Sequence, residues 1–214
     1  AGVSGNGQRC LLEILMGQKK CNRGKILYGG RSATGLINEE IGYIPENQDE
    51  ALLMGSSIIE NSILGSHSKK PVAKTWYLPG ISLLDFNEAR NFASGLVKNY
   101  DVKIPDLEVE AGKLSGGNKQ RLVLAREVSG SSELIIADKP TAGLDVGSQK
   151  FIREQLIKEA EKGRGVLLVS EDLDEIISLS DRIGVMYEGK LVDILDRKDA
   201  TKELMGGSEA FQCN

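Results

Sequence analysis

The sequence has only one histidine, one tryptophan and three cysteines among its 214 residues, and it has no long apolar run. A membrane-spanning helix needs about 20 consecutive apolar residues. No stretch approaches that length and no signal peptide is visible, so we expect any link to a membrane to come through a partner. The cysteines, Cys10, Cys21 and Cys213, lack metal-ligand spacing, and their odd number favours reduced cytosolic thiols.

An excess of basic residues is also missing. The formal net charge is −4 and the isoelectric point is near 5.3, so the composition gives no support for a surface that binds nucleic acid. Apolar residues make up 40% of the chain and charged residues 27%, which is ordinary for a soluble globular protein. The length is sufficient for one or two compact domains with a real core.

The second half of the chain alternates short apolar runs with amphipathic stretches, a pattern typical of βαβ units and a largely parallel sheet. The apolar runs predict four strands, at 134–137, 166–169, 183–187 and 191–194. A helix is expected between the first two strands, at about 146–162. Its apolar face is expected to carry Phe151, Ile152, Leu156 and Ile157.

The first half is organised differently. A glycine-rich segment, residues 2–7, precedes apolar residues at helical spacing and predicts a loop that opens a helix. Two further helices are expected at 56–64 and 84–99, and they would form a helical subdomain inserted into the α/β core. The loop between them holds Pro71, Trp76 and Pro79.

The two ends of the chain carry separate expectations. The tail from about residue 200 is expected to form a short helix with a frayed end. Phosphate-binding loops sit at the end of a buried strand, yet only Ala1 precedes Gly2. We therefore expect the strand before the loop to come from residues, or from a chain, outside this sequence.

The clearest local motif is the segment Leu114-Ser115-Gly116-Gly117-Asn118-Lys119-Gln120-Arg121. A serine and two glycines at a helix start offer a hydroxyl, unobstructed backbone N–H groups and the positive end of the helix dipole. This combination suits a phosphate group. Taken alone, the same residues are equally compatible with an ordinary N-capped helix after a turn.

The segment 133–145 changes that balance. An apolar strand ends in Asp138, and Pro140-Thr141-Ala142-Gly143-Leu144-Asp145 follows shortly after it. In this order and spacing the two segments closely resemble the signature motif, Walker B strand and D-loop of ATP-binding-cassette (ABC) ATPases.

The resemblance implies an α/β fold of the P-loop NTPase type, with a mostly parallel sheet flanked by helices, an inserted helical subdomain and a missing N-terminal strand. It also implies that residues 1–214 are a single nucleotide-binding domain. The core would comprise 1–50 and 130–214, and the helical and signature subdomain would comprise approximately 51–129.

Under this resemblance, residues 2–10 correspond to the Walker A phosphate loop. Glycines remain at positions 2, 5 and 7, so the backbone can still curl round phosphates. Gln8 stands at the lysine position and brings no charge, and Arg9 stands where a hydroxyl normally binds Mg²⁺. The expected nucleotide-binding residues are Gly2, Ser4, Gly5, Asn6, Gly7, Gln8, Arg9 and Cys10. Asp138 is expected to be at most a weak Mg²⁺ ligand, because Arg9 would repel the ion unless it turned away.

Three further positions depart from the family pattern. Glu46 stands in the Q-loop, where both Mg²⁺ binding and solvation fit it. Lys139 stands where the water-polarising glutamate is usual, and Glu171 where the switch histidine is usual. An ammonium with a pKa near 10.4 cannot act as a base at neutral pH. Lys139 could contact a γ-phosphate, or it could contact solvent or a neighbouring acid. The single histidine, His67, lies far in the sequence from the switch position at Glu171.

The Gly-Asn-Gly-Gln loop, the Ile-Pro-Glu-Asn segment and the Leu-Ser-Gly-Gly-Asn-Lys-Gln segment resemble the ATP-binding proteins that import nucleosides and simple sugars. In those proteins two nucleotide-binding domains lie in one polypeptide, and this chain resembles the degenerate C-terminal one. The resemblance therefore implies ATP as ligand, Mg²⁺ binding that is doubtful in this chain's own site, and a second such domain as partner. It further implies membrane permease subunits as partners, no nucleic acid, and a place at the cytoplasmic face of the cell membrane.

In the family, each ATP lies between the Walker loop of one domain and the signature of the other. The signature residues expected to complete a partner's ATP site are Leu114, Ser115, Gly116, Gly117, Asn118 and Gln120. The expected Walker B and D-loop residues are Asp138, Gly143, Leu144 and Asp145. We expect ATPase activity only within an assembled pair, with this chain's own site weak or inactive. The alternative is a non-hydrolysing scaffold or regulatory domain, which a nucleotide-binding assay would distinguish.

Overall fold

The structure is a computed structural model that describes residues 5–33, 41–65, 73–75 and 82–200. Several sequence predictions fall outside these residues: the short helix after residue 200, the roles of Gly2 and Ser4, and the surroundings of His67 and Cys213. Among the described residues, no helix is both long enough and apolar enough to cross a bilayer.

The described residues form six α-helices, and each predicted helix that they cover is confirmed. The helices are α1 (Gln8–Leu15), α2 (Ile58–Ile63), α3 (Phe86–Asn99), α4 (Gly116–Ser129), α5 (Val146–Glu161) and α6 (Leu173–Leu179). Short 3-10 turns lie at Gln48–Glu50, Ala111–Lys113 and Arg197–Asp199. The loop at residues 5–7 opens α1, as its glycines and the following apolar spacing indicated.

Nine strands form four sheets among the described residues. They are β1 (Ile26–Tyr28), β2 (Arg31–Ala33), β3 (Ile41–Ile44), β4 (Ala73–Thr75), β5 (Ser82–Leu84), β6 (Leu134–Asp138), β7 (Gly165–Val169), β8 (Arg182–Tyr187) and β9 (Lys190–Asp196). The parallel sheet has the order β3-β6-β7, and β1-β2, β4-β5 and β8-β9 are antiparallel pairs. The four strands predicted in the second half are thereby confirmed.

The core lies where α4 packs against the parallel sheet. Strand β6 is the middle strand, and its residues Ile135, Ile136 and Ala137 are fully buried. Helix α4 buries Leu122, Val123, Leu124, Ala125 and Val128. Because both faces of β6 are covered, this strand appears in the sequence as a continuous apolar run instead of an alternating one.

The helical region has a second, smaller core between α2 and α3. Ile59 and Ile63 of α2 pack against Ala89 and Ala93 of α3. A reciprocal pair of hydrogen bonds fixes the start of α2. The Ser57 hydroxyl accepts a hydrogen bond from the backbone N–H of Glu60, and the Glu60 carboxylate accepts one from the backbone N–H of Ser57.

Two local expectations were wrong. The stretch between the middle helices is not a plain loop, because Ala73–Thr75 pairs with Ser82–Leu84. Residue 84 therefore ends a strand, and α3 begins at Phe86 after the Asp85 cap. The second error concerns Ile157, which is 40% exposed instead of sharing the buried face of α5 with Ile152.

The exposure of Ile157 has a structural cause. A groove of about 610 Å³ runs between β7 and β8, and within the described ranges no strand lies in it. Four exposed apolar side chains line this groove: Leu11, Ile157, Leu191 and Ile194. The parallel sheet thus ends at β7 in the part of the chain that the structure describes.

Candidate functional site

A polar cavity of about 470 Å³ lies at the carboxyl ends of β3, β6 and β7. In open α/β sheets this edge is where ligands bind. The lining residues come from the α1 loop and from the ends of the three strands: Gly5, Gly7, Gln8, Arg9, Cys10, Glu13, Lys19, Glu46, Asp138, Lys139, Val169, Ser170 and Glu171. The structure thus brings together the residues that the sequence analysis assigned to the Walker A loop, the Q-loop, the Walker B strand and the switch position.

The loop that opens α1 is held against the turn between β8 and β9. The side-chain oxygen of Asn6 accepts a hydrogen bond from the backbone N–H of Glu188 at 3.0 Å, and the backbone carbonyl of Asn6 accepts one from the N–H of Gly189 at 3.1 Å. Gly5 and Gly7 have φ values of +89° and +99°, which favour glycine. A Cβ on Gly7 would also lie 2.9 Å from the Gly189 Cα, so the loop keeps its shape through close backbone packing.

The Arg9 side chain lines the cavity and pairs with Glu13, which also lines it. The side chain of this arginine is 85% exposed, and its Nε lies 3.4 Å from the Glu13 carboxylate. Lys19 donates to the same carboxylate at 2.7 Å, and this hydrogen bond is the main reason that the pKa of Glu13 lies below its usual range. The Arg9 charge still acts on the site, because it lowers the pKa of Asp138 against the effect of burial.

The Lys139 side chain contacts neighbouring acids. Its Nζ lies 2.6 Å from Glu171 Oε1 and 3.4 Å from Glu46 Oε2. The hydrogen bond that Lys139 donates to Glu171, followed by the charge of Glu46, raises the pKa of Lys139 although partial burial opposes the shift. The ammonium therefore stays protonated at neutral pH and cannot serve as a general base.

The backbone at Lys139 has an unusual conformation. Its φ is +43°, a left-handed conformation that is unusual for a residue other than glycine. Its N–H donates to the Val169 carbonyl at 2.8 Å, which continues the β6-β7 ladder by one residue. Strained backbone of this kind persists where the surrounding structure determines it, and it is frequent at functional sites.

The carboxylate of Asp138 lies at the end of β6, next to Tyr43. Burial raises the pKa of Asp138, and the charge of Glu46 raises it further, while Lys139 and Arg9 oppose the shift. Burial, followed by the charge of Asp138, raises the pKa of Tyr43 to about 12. This corner of the cavity thus disfavours added negative charge.

Among the described residues the cavity offers no all-protein cage for a divalent metal ion. The described residues contain no group of three His, Cys, Asp or Glu side chains that could hold one. Two of the nearby carboxylates, Glu46 and Glu171, already pair with Lys139. An ammonium about 4 Å from a doubly charged ion would repel it by about 2 kcal/mol in water and by about 8 kcal/mol at an effective dielectric constant of 20.

The signature residues lie apart from this cavity, at the start of α4. Ser115 and Gly116 are exposed there. Ser115 occupies the N-cap position without capping the helix; its Oγ instead accepts from Asn118 Nδ2 at 3.0 Å. The Asn118 carbonyl oxygen accepts from the Lys103 N–H at 2.8 Å. In its contact with Asn118 the exposed Ser115 hydroxyl thus acts as an acceptor.

Two signature residues serve the interior. Leu114 is part of the main apolar core. Gln120 is fully buried, and its Nε2 donates to the Pro140 carbonyl at 2.8 Å. The side chains of these two signature residues therefore lie in the interior.

The D-loop segment packs beside the signature. Asp145 caps α5, accepting from the Ser148 N–H at 3.0 Å and from the Ser148 hydroxyl at 2.7 Å. A Cβ on Gly117 would lie 2.4 Å from that hydroxyl oxygen. Only a glycine fits at this position without a shift of Ser148, which gives the second glycine of the motif a packing role. Gly143 of this segment is exposed and has a φ of +69°.

The sequence analysis missed two residues that hold this segment. Thr141 Oγ1 donates to Glu175 Oε1 at 2.8 Å, and Arg153 Nε donates to the same oxygen at 3.0 Å. Glu175 is fully buried. In the sequence both charged residues look like ordinary positions on helix surfaces, so no local signal distinguished them.

Comparison with known proteins gives the family. The sequence profile of the family described as "ABC transporter" matches residues 1–142. The chain belongs to this family. Two solved structures share its fold and confirm the expected P-loop NTPase-like α/β architecture. One is an ATP-binding cassette in a dimeric post-hydrolysis state with ADP and phosphate (22% identity, TM-score 0.72). The other is a dimeric bacterial ABC transporter cassette (23% identity, TM-score 0.74). Each match covers 92% of this chain and 83% of the chain of the solved structure.

Three curated relatives are similar over almost all of the chain. A glucose import ATP-binding protein of Haloferax volcanii is 39% identical over 96% of this chain and 38% of its own length. A guanosine import ATP-binding protein of Bacillus subtilis is 36% identical over 96% of this chain and 40% of its own length. A ribose import ATP-binding protein of Lacticaseibacillus paracasei is 34% identical over 95% of this chain and 40% of its own length. The chain thus spans about two fifths of the length of these relatives.

Proposed function

We propose that this chain is one ATP-binding domain of an import system for a simple sugar or nucleoside. The names of the relatives support the import role, since they are import ATP-binding proteins for glucose, guanosine and ribose. The partners would be a second nucleotide-binding domain and membrane permease subunits, at the cytoplasmic face of the membrane. The net charge of −4 favours these partners over nucleic acid.

In this proposal the chain's two ATP-related surfaces have different roles. The signature serine and glycines would complete the ATP site of the partner domain, and the chain's own cavity would hold nucleotide weakly without hydrolysing it. The observation that carries this division is the ion pairing of Lys139 with Glu171 and Glu46. A protonated lysine stands where a base is required, while the Ser115 hydroxyl is exposed at the positive end of α4.

The test compares two variants in the transport complex that co-purifies with the chain. Ser115→Ala should lower the ATP hydrolysis rate of the complex, because it removes a donor aimed at the partner's nucleotide. Gln8→Ala, in the chain's own loop, should lower the rate much less. Equal and negligible effects of both substitutions would refute the division of labour.

A second candidate is a scaffold or regulatory domain that binds no nucleotide. The same ion pairs favour it, because they already occupy the charged groups on one side of the cavity. The glycine loop at residues 5–7 favours the first proposal, since Gly5 and Gly7 keep the left-handed backbone that lets a loop curl round a phosphate. Calorimetric titration of the chain with ATP separates the two candidates.

A further inference from the structure

The carboxylate of Glu175 joins two segments that follow neighbouring strands of the parallel sheet. Glu175 belongs to α6, which begins shortly after β7, and its Oε1 accepts a hydrogen bond from the Thr141 hydroxyl at 2.8 Å. Thr141 follows β6, in the stretch that leads to the D-loop segment. Glu175 is fully buried and Thr141 is 6% exposed. A hydrogen bond in such a low-dielectric interior is stronger than one in water, so it ties the two segments firmly together.

Arg153 of α5 orients the Glu175 carboxylate. Its Nε donates to Glu175 Oε1 at 3.0 Å, and its Nη2 donates to Asp172 Oδ2 at 3.0 Å. Asp172 also caps α6, because its other carboxylate oxygen accepts from the backbone N–H groups of Asp174 and Glu175. One guanidinium therefore fixes both the first turn of α6 and the oxygen to which Thr141 is bound.

The stretch that follows Thr141 packs against the signature glycines. A Cβ built on Gly116 would lie 3.9 Å from Leu144 Cδ2, and one built on Gly117 would lie 3.3 Å from Asp145 Oδ2. These distances show that Leu144 and Asp145 lie directly beside the first turn of α4. The position of the D-loop segment therefore bears on the position of the glycines.

The residue before Thr141 is bound to the same helix. The Pro140 carbonyl accepts from Gln120 Nε2 at 2.8 Å, and Gln120 is fully buried. Residues 140–145 thus contact α4 at both of their ends, and between these ends Thr141 binds them to α6. A displacement of this stretch would move the support of the helix start that presents Ser115.

We propose that Thr141 and Glu175 are positioning residues for ATP hydrolysis at the partner domain's site. Their hydrogen bond holds residues 140–145 where these support the signature serine and glycines. The inference rests on the proposed function, in which the signature completes the partner's ATP site. Donors that stabilise a transition state must be in position before the reaction. A misplacement of about 1 Å caused by a distant change can lower a rate about a hundredfold.

The experiment measures kcat and KM for ATP hydrolysis by the transport complex that co-purifies with the chain. Thr141→Val keeps the branched shape of the side chain and removes the hydroxyl donor, whereas Thr141→Ser keeps the donor. Thr141→Val should lower kcat about ten- to a hundredfold and leave KM for ATP unchanged, because the lost support acts on the transition state. Thr141→Ser should retain most of the kcat of the unaltered complex.

Two substitutions at Glu175 separate positioning from a general loss of stability. Glu175→Gln keeps an acceptor for the Thr141 hydroxyl but loses the charge that pairs with Arg153. It should unfold at lower urea concentration and still retain kcat. Glu175→Met removes the acceptor and should lower kcat as Thr141→Val does. If Thr141→Val does not fold, the comparison of the two Glu175 variants decides by the same measurement.

A kcat that Thr141→Val and Glu175→Met leave unchanged would overturn the inference. So would a kcat that falls in Thr141→Ser and Glu175→Gln as well, in step with their stability in urea. The Ser115→Ala variant distinguishes these results from a failure of the proposed function. If Ser115→Ala lowers hydrolysis and Thr141→Val does not, the positioning role alone is refuted; if neither lowers it, the proposed function fails as well.

Discussion

Removal of Arg153 is expected to be among the most destabilising changes of a charged residue in this domain. Glu175 is fully buried, and its Oε1 accepts from Arg153 Nε at 3.0 Å and from Thr141 Oγ1 at 2.8 Å. Its other carboxylate oxygen has no hydrogen-bond partner. Arg153→Met would therefore leave a buried carboxylate with one neutral hydrogen bond. Breaking a buried ion pair in this way costs about 3–5 kcal/mol.

The partner substitution should cost less. Glu175→Gln keeps an acceptor for Thr141 and leaves Arg153 its second partner, Asp172, at 3.0 Å. We expect a loss of about 1–3 kcal/mol, the usual cost of an impaired buried hydrogen bond. The double substitution should be less destabilising than the sum of the two, since the buried charge and its counter-charge are removed together.

Urea unfolding followed by circular dichroism measures these differences, provided that the slope of the transition is unchanged. Lys150→Met on the same helix is the control, because its pairing with Glu154 is exposed and long, at 3.9 Å. It should change the unfolding free energy by no more than about 0.5 kcal/mol. A loss below about 1 kcal/mol for Arg153→Met, or full additivity of the pair, would refute the view that this contact anchors the D-loop segment.

Two further predictions concern the signature and the polar cavity. Gly117→Ala should destabilise the domain by about 1–3 kcal/mol, because the added Cβ would lie 2.4 Å from the Ser148 hydroxyl oxygen. For Gly116→Ala the nearest atom to the added Cβ lies at 3.9 Å, so this variant should be close to neutral in the same urea assay. Equal losses of stability in the two variants would contradict this packing argument. Tyr43, with its pKa raised to about 12 by burial, should bind its proton more tightly in the folded than in the unfolded chain. Stability should therefore fall as the pH rises from about 10 through the folded pKa. Spectrophotometric titration of the Tyr43→Phe variant should lack the tyrosine transition near pH 12, and a transition that persists there would contradict the assignment.

The backbone elements around the site could be predicted because their signals are local. The apolar run that ends at Asp138 and the serine and glycines at 115–117 each determine structure within a few residues. The strands β6 to β9 and helix α5 followed from the same patterns. The pair β4-β5 was missed because each strand has only three residues, too few for an alternation to be visible.

The contacts that decide the chemistry could not be predicted. Lys139, Glu46 and Glu171 lie far apart in the sequence and meet only because parallel strands end at one edge of the sheet. The sequence left Lys139 with several alternatives, and the structure supports its contact with neighbouring acids. Gln120 looked like part of a ligand-binding motif, yet it is buried against Pro140.

We propose that hydrolysis in the assembled pair occurs only where this chain contributes its signature, and never at its own loop. The most direct test is phosphate release by the transport complex when the catalytic glutamate of the partner domain is replaced by glutamine. Any remaining turnover must then come from the cavity that contains Lys139. The account predicts no ATP-dependent phosphate release from this complex, although the chain remains folded and assembled. Steady release above the background would contradict it.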